Sequence, residues 1–139
     1  MQGAVVLFET GKYAEAQAQF KKYLDTHPGD VFCAQAALGV AASLDAQGKT
    51  EAASAYQRVI SGFPDQNTVN IAKFALAQID ERQGKLADAE NLYEDVARNN
   101  PNGSSGSEAA LRAMELKTRL QPASTSTTPP FSFNLNTKP

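Results

Sequence analysis

The chain has 139 residues, 42% of them apolar, with no Trp, one Cys, one His and a net charge of −2. That length can bury one continuous core, and a composition rich in Ala and poor in aromatics suits closely packed helices, so the predicted class is all-α. Basic residues are scattered singly apart from Lys21-Lys22, which leaves no footprint for a phosphate backbone and argues against nucleic acid as a partner.

Cys33 is the only cysteine, which excludes an intramolecular disulfide or a Cys-based zinc cage. No run of about 18 apolar residues occurs, so direct insertion of this chain into a membrane is not expected. Met1 to Phe8 has an apolar patch but no basic flank and no small-residue cleavage site before Glu9, so it fails as a signal peptide. It reads as the back half of a helix, which points to a chain whose upstream part was cut away.

A first helix over residues 2 to 10 is expected to close at Gly11, a residue that tolerates the left-handed conformation of a helix C-terminus. A second, over 13 to 26, carries an apolar stripe of Tyr13, Ala16, Phe20, Tyr23 and Leu24. His27-Pro28-Gly29 stops it, and Asp30 is the expected N-cap of a third helix over about 31 to 47. That helix carries Ala34, Ala37, Leu38, Ala41 and Leu44 and ends at Gly48.

Residues 50 to 62 follow with Ala53, Tyr56, Val59 and Ile60, and Pro64 is the stop. The layout then repeats over 68 to 83 and, after Gly84, over 86 to 99. Ser104 to Ser107 reads as a flexible joint, with Ser107 as N-cap and Glu108 in the first turn of a last helix over about 108 to 120. A last helix without a partner is expected to cap the apolar end of the stack. From Gln121 the composition shifts to Pro, Ser and Thr, giving two regions: a helical domain over 1–120 and a flexible or docked tail over 121–139.

Three spaced phrases hold this layout together: Gly11-Lys12-Tyr13-Ala14-Glu15-Ala16, Gly48-Lys49-Thr50-Glu51-Ala52-Ala53 and Gly84-Lys85-Leu86-Ala87-Asp88-Ala89. The glycines are 37 and 36 residues apart, and Pro28, Pro64 and Pro101 follow them at 16 or 17 residues. A phrase recurring at such a period marks stacked like units. Small residues at Ala16, Ala53 and Ala89 share one place in the unit and let paired helices approach.

In these features residues 2 to 120 resemble a tetratricopeptide-repeat (TPR) protein. The resemblance implies an α-solenoid of about three antiparallel helix pairs plus a C-terminal capping helix. Three departures stand out. The first unit lacks the front of its first helix; the second has Gln57 where an aromatic is usual, with Tyr56 beside it, and is one residue shorter before its proline. In the third, Asp80 occupies a usually apolar place and is expected to loosen that pair. The periods and the Phe-Pro type of ending are similar to bacterial envelope members of the family, such as the Tol-Pal-associated division coordinator and membrane-anchored TPR proteins ancillary to the translocon. A periplasmic or membrane-tethered setting is therefore expected over a cytoplasmic one.

By family register, the concave face that holds an extended peptide or partner helix would be lined by Val5, Phe8, Gln35, Leu38, Ala42, Asp45, Ile71, Phe74, Gln78, Glu81 and Arg82. Leu38, Ile71 and Phe74 read equally well as inter-repeat core. Only Arg82 is basic in that set, which disfavours a clamp for a C-terminal carboxylate, and beside Glu81 it reads as a solvated helix-end charge. Nothing points to an enzyme: His27 sits against Pro28, Cys33 reads as packing, and no nucleophile has a placed base. No cofactor or metal site is expected.

The function expected is a non-catalytic scaffold that binds a protein or peptide. Two alternatives stay open: self-association through the incomplete first repeat or the tail, and a regulatory segment of a larger protein. In the tail, Phe131, Phe133 and Leu135 alternate with polar residues, an apolar strip that could dock in a groove.

Overall fold

The structure, a computed structural model, describes residues 1–122. The Phe131, Phe133 and Leu135 strip lies outside the described residues. Within them the chain forms helices alone: α1 (Gln2–Glu9), α2 (Tyr13–Thr26), α3 (Cys33–Ala46), α4 (Ala52–Gly62), α5 (Gln66–Arg82), α6 (Leu86–Asn99) and α7 (Ser104–Leu120). Each packs on the next in chain order, and α3 also touches α5. This is the expected α-solenoid.

The three Gly-Lys phrases form one local structure. Gly11, Gly48 and Gly84 have φ of 77°, 67° and 77°. Their amides donate to Phe8, Asp45 and Glu81 carbonyls, and the amides of Lys12, Lys49 and Lys85 donate to Leu7, Leu44 and Asp80 carbonyls at 2.8, 3.0 and 2.8 Å. Those paired bonds satisfy the carbonyls left open at a helix C-terminus, and the positive φ is why glycine recurs.

One register expectation is corrected. Ala16 and Ala89 are fully buried, but in the second unit Ala52, not Ala53, takes the equivalent place. The cause is a tighter first turn. The Ala52 amide reaches back three residues to the Lys49 carbonyl at 3.2 Å, whereas Ala16 and Ala89 reach back four, to Lys12 and Lys85. A three-residue turn winds the helix in one residue early. Ala52, Tyr56 and Val59 then superimpose in spacing on Ala16, Phe20 and Tyr23 and on Ala89, Tyr93 and Val96. The residue missing before Pro64 is thus lost in the turn, and Tyr56 is the expected aromatic.

Helix starts differ from expectation where side chains reach across a loop. Asp30 does not cap α3 directly. Its carboxylate accepts the Phe32 amide at 2.8 Å and the Tyr23 hydroxyl at 2.8 Å, and α3 begins at Cys33. These bonds hold the Asp30 carboxyl below its usual range, chiefly through the Phe32 amide. At α5 the N-cap is Asp65, which accepts the Thr68 amide at 3.1 Å and the Thr68 hydroxyl. His27 stacks on the Tyr23 ring, and the Cys33 thiol is buried and donates to the His27 carbonyl at 3.1 Å.

The joint at Ser104 to Ser107 is the largest correction, because those residues are the first turn of α7, with Gly103 as N-cap. Gly106 is buried there against the end of α6. A β-carbon on it would lie 1.7 Å from the Asn100 carbonyl oxygen, so this glycine serves close approach, not flexibility.

Asp80 does not loosen the third pair. Ala77, Ala89 and Tyr93, which pack α5 and α6 together, are fully buried, and Asp80 itself is 7% exposed. The Gly84 turn brings the Lys85 ammonium to 4.0 Å from its carboxylate. Burial nevertheless pushes the Asp80 carboxyl above its ordinary range. A raised carboxyl favours folding most below its unfolded pKa, and that contribution is lost as pH rises through the folded value. Urea unfolding of Asp80→Asn and wild type from about pH 3 to about pH 7 should therefore show the variant gaining on wild type as pH rises. A constant difference would refute this account. The comparison cancels Asp30 and Asp65, whose lowered carboxyls act with the opposite sign.

Candidate functional site

The two ends of the hollow are built by different elements. A cavity of about 630 Å³ lies where α3 and α5 end and α4 begins, with Phe8 of α1 at its edge. Ala42, Tyr56, Ile79 and Phe8 give it an apolar lining. Asp45 and Arg82 also line it and are joined by an ion pair at 2.8 Å that spans two repeats. Arg82 is therefore held by Asp45 of the preceding unit, where the sequence reading expected a solvated helix-end charge beside Glu81. Tyr56 is 3% exposed, and burial pushes its hydroxyl pKa well up, so it remains a neutral wall.

A second hollow of about 460 Å³ adjoins the first through Arg82 and is lined by Gln78, Glu81, Arg82, Arg112 and Arg119. Glu81 is tied down from two sides: it accepts the Tyr93 hydroxyl at 3.2 Å and lies 3.8 Å from the Arg112 guanidinium. Tyr93 is raised to about 12 by burial and by Glu81. Arg112 also approaches Glu108 at 3.9 Å. Arg119 makes no ion pair among the described residues, which leaves its charge available to a partner.

Of the residues read from the sequence, Phe8, Ala42, Asp45 and Arg82 line the first hollow, and Gln78, Glu81 and Arg82 the second. Val5 and Ile71 are 41% and 49% exposed, and Gln35 is exposed, but none of the three lines either hollow. Leu38 is half-buried against the central core. Phe74 packs edge-on against Tyr93 with ring centroids 5.3 Å apart, so it belongs to the packing within the third helix pair.

The sequence reading missed Tyr56, Ile79, Arg112 and Arg119. Tyr56 and Ile79 looked like core only, and the arginines sit on α7, which was read as a cap. Extending the inward register of α5 onto α7 would have found Arg119, at the place of Arg82, but not Arg112, which corresponds to Ala75. Among the described residues no three His, Cys, Asp or Glu side chains converge to hold a metal ion. No helix among them is long and apolar enough to cross a membrane.

Chemically the arrangement offers apolar contact at one end, and guanidinium and amide groups at the other. Residues 2–67 match the family model described as tetratricopeptide repeat. No curated protein matches the chain. The match spans α1 to α4 and the start of α5, and α5 with α6 repeats the same Gly-Lys turn and the same buried Ala, Tyr and Val spacing.

Proposed function

We propose that this tetratricopeptide-repeat solenoid binds an extended segment of a protein partner along the two adjoining hollows. Tetratricopeptide repeats are typically non-catalytic and generally mediate protein-protein interactions. The observation that carries the reading for this chain is that an apolar-lined cavity and an arginine-rich one share Arg82 in their walls. The segment sets one large apolar side chain over Ala42 and Tyr56 and a carboxylate near Arg119. Burying such a side chain contributes roughly 1.5–3 kcal/mol, less the cost of ordering the peptide. Gln78 and the Asp45–Arg82 pair give the segment direction through hydrogen bonds.

The test is to pan a displayed random-peptide library on the full chain and measure the selected peptides by calorimetry. Ala42→Arg, placed at the half-buried wall of the first hollow, should weaken them by about tenfold or more, or roughly 1.4 kcal/mol. Its melting temperature should stay near that of the wild type. Arg119→Glu should remove a preference for acidic peptides. Undiminished affinity in both variants would sink the proposal.

A second reading is self-association through α1, supported by Val5 and Val6, which are 41% and 57% exposed. Sedimentation decides it: a monomer at high concentration excludes this reading and leaves the first intact.

A further inference from the structure

At the far end of the solenoid, α7 leaves a face uncovered that its predecessor buries. α7 packs on α6 through Gly106, Ala109, Ala113 and Leu116, and α5 packs on α4 through Val69, Ala72, Leu76 and Ile79, with the same spacing. In that shared register Phe74 and Ala77 of α5 correspond to Leu111 and Met114 of α7. α6 covers the first two: Ala77 is fully buried and Phe74 lies against Tyr93. Leu111 and Met114 are 63% and 62% exposed.

The troughs beside these faces correspond too. Between α4 and α5 a hollow lined by Gln57, Ile60 and Leu76 is walled by Lys85, Asp88 and Leu92, which come directly after α5 in the chain. Its counterpart between α6 and α7, about 470 Å³, is lined by Ala97, Ala110, Ala113 and Met114 with Glu94 and Lys117 among its charged members. Among the described residues, every one that lines it comes from α6 or α7.

We propose that residues 123–139 of the same chain close this trough, with Phe131 and Phe133 against Leu111 and Met114, in the place that α6 takes on α5. The segment leaves α7 at the right point. Met114 lies six residues before the end of α7 at Leu120, about 9 Å along the helix, and the nine residues from Pro122 to Phe131 span up to about 30 Å when extended. Its chemistry fits: Phe131, Phe133 and Leu135 alternate with polar residues, and Lys138 is its only charged side chain, so covering an apolar floor desolvates little charge.

Met1 and Met114 are the only methionines, which gives a clean readout. Oxidation of the full chain by dilute peroxide is followed by mass for each methionine, in wild type and in Phe131→Ser/Phe133→Ser. Met114 should oxidise about threefold or more slowly in wild type than in the variant, with Met1 unchanged and the ratio independent of protein concentration. Equal Met114 rates in the two proteins would overturn the proposal. So would protection that appears only as concentration rises, since that assigns the strip to a neighbouring copy.

Discussion

Gly106→Val should destabilise the protein by about 3 kcal/mol or more, read as a fall in melting temperature of about 10 °C. At this position the obstacle is backbone. A β-carbon would sit 1.7 Å from the Asn100 carbonyl oxygen and 2.7 Å from its carbon. Neither atom can move without shifting the end of α6, so α7 must lift away. Lifting it opens the cluster formed by Ala109, Ala113 and Leu116 with Ala89, Tyr93 and Val96.

Two other helical glycines calibrate the effect. Gly3 has nothing within 4 Å of a built β-carbon, so Gly3→Ala should be neutral or stabilising by up to about 1 kcal/mol. Gly39 would meet the buried Phe20 ring at 2.7 Å, and Gly39→Ala should fall between the two, because a ring can tilt where a carbonyl cannot. Thermal melts of the three variants check the order. If Gly106→Val melted like Gly3→Ala, the close approach of α6 and α7 would be wrong.

Tyr93→Ala should cost about 3–5 kcal/mol, the usual range for deleting a large buried aromatic. Tyr93 is fully buried and packs edge-on against Phe74, and its hydroxyl donates to Glu81 at 3.2 Å. It therefore holds three things at once: α5 to α6, α6 to α7, and the Glu81 carboxylate that faces Arg112. Tyr93→Phe keeps the ring and loses only the hydrogen bond, for about 0.5–1.5 kcal/mol. Urea denaturation of both variants measures the pair. Equal losses would mean that the hydroxyl, not the ring, carries the contribution.

These positions mark how far the sequence could be read. α2 and α6 have the expected limits, residues 13 to 26 and 86 to 99. Their boundary signals, a left-handed glycine before and an X-Pro after, act within five residues of where they stand. The Gly-Ser run at 103 to 107 carried a local signal that was equally clear and pointed the other way. It was overridden because the residue it meets, Asn100, lies across a turn, and the packing of α7 on α6 outweighs the weak helix propensity of Gly and Ser. The one-residue shift to Ala52 is a subtler case: Gly48 fixed the end of α3, but the tightness of the next turn shows only when Tyr56 and Val59 are seen buried.

The same division runs through the candidate site. Ala42, Asp45, Gln78 and Arg82 were named by the register of the family the chain resembles, and each lines one of the two hollows. The Arg82 to Asp45 ion pair, and the meeting of Arg112 and Arg119 with Gln78, join side chains about one repeat apart in the chain. By itself the sequence determined the punctuation of the helices and the period at which they stack, since those rest on bonds between near neighbours. Only the tertiary structure decided which faces are filled, where α7 starts and which charges are spent on each other, because each depends on groups that folding alone brings together.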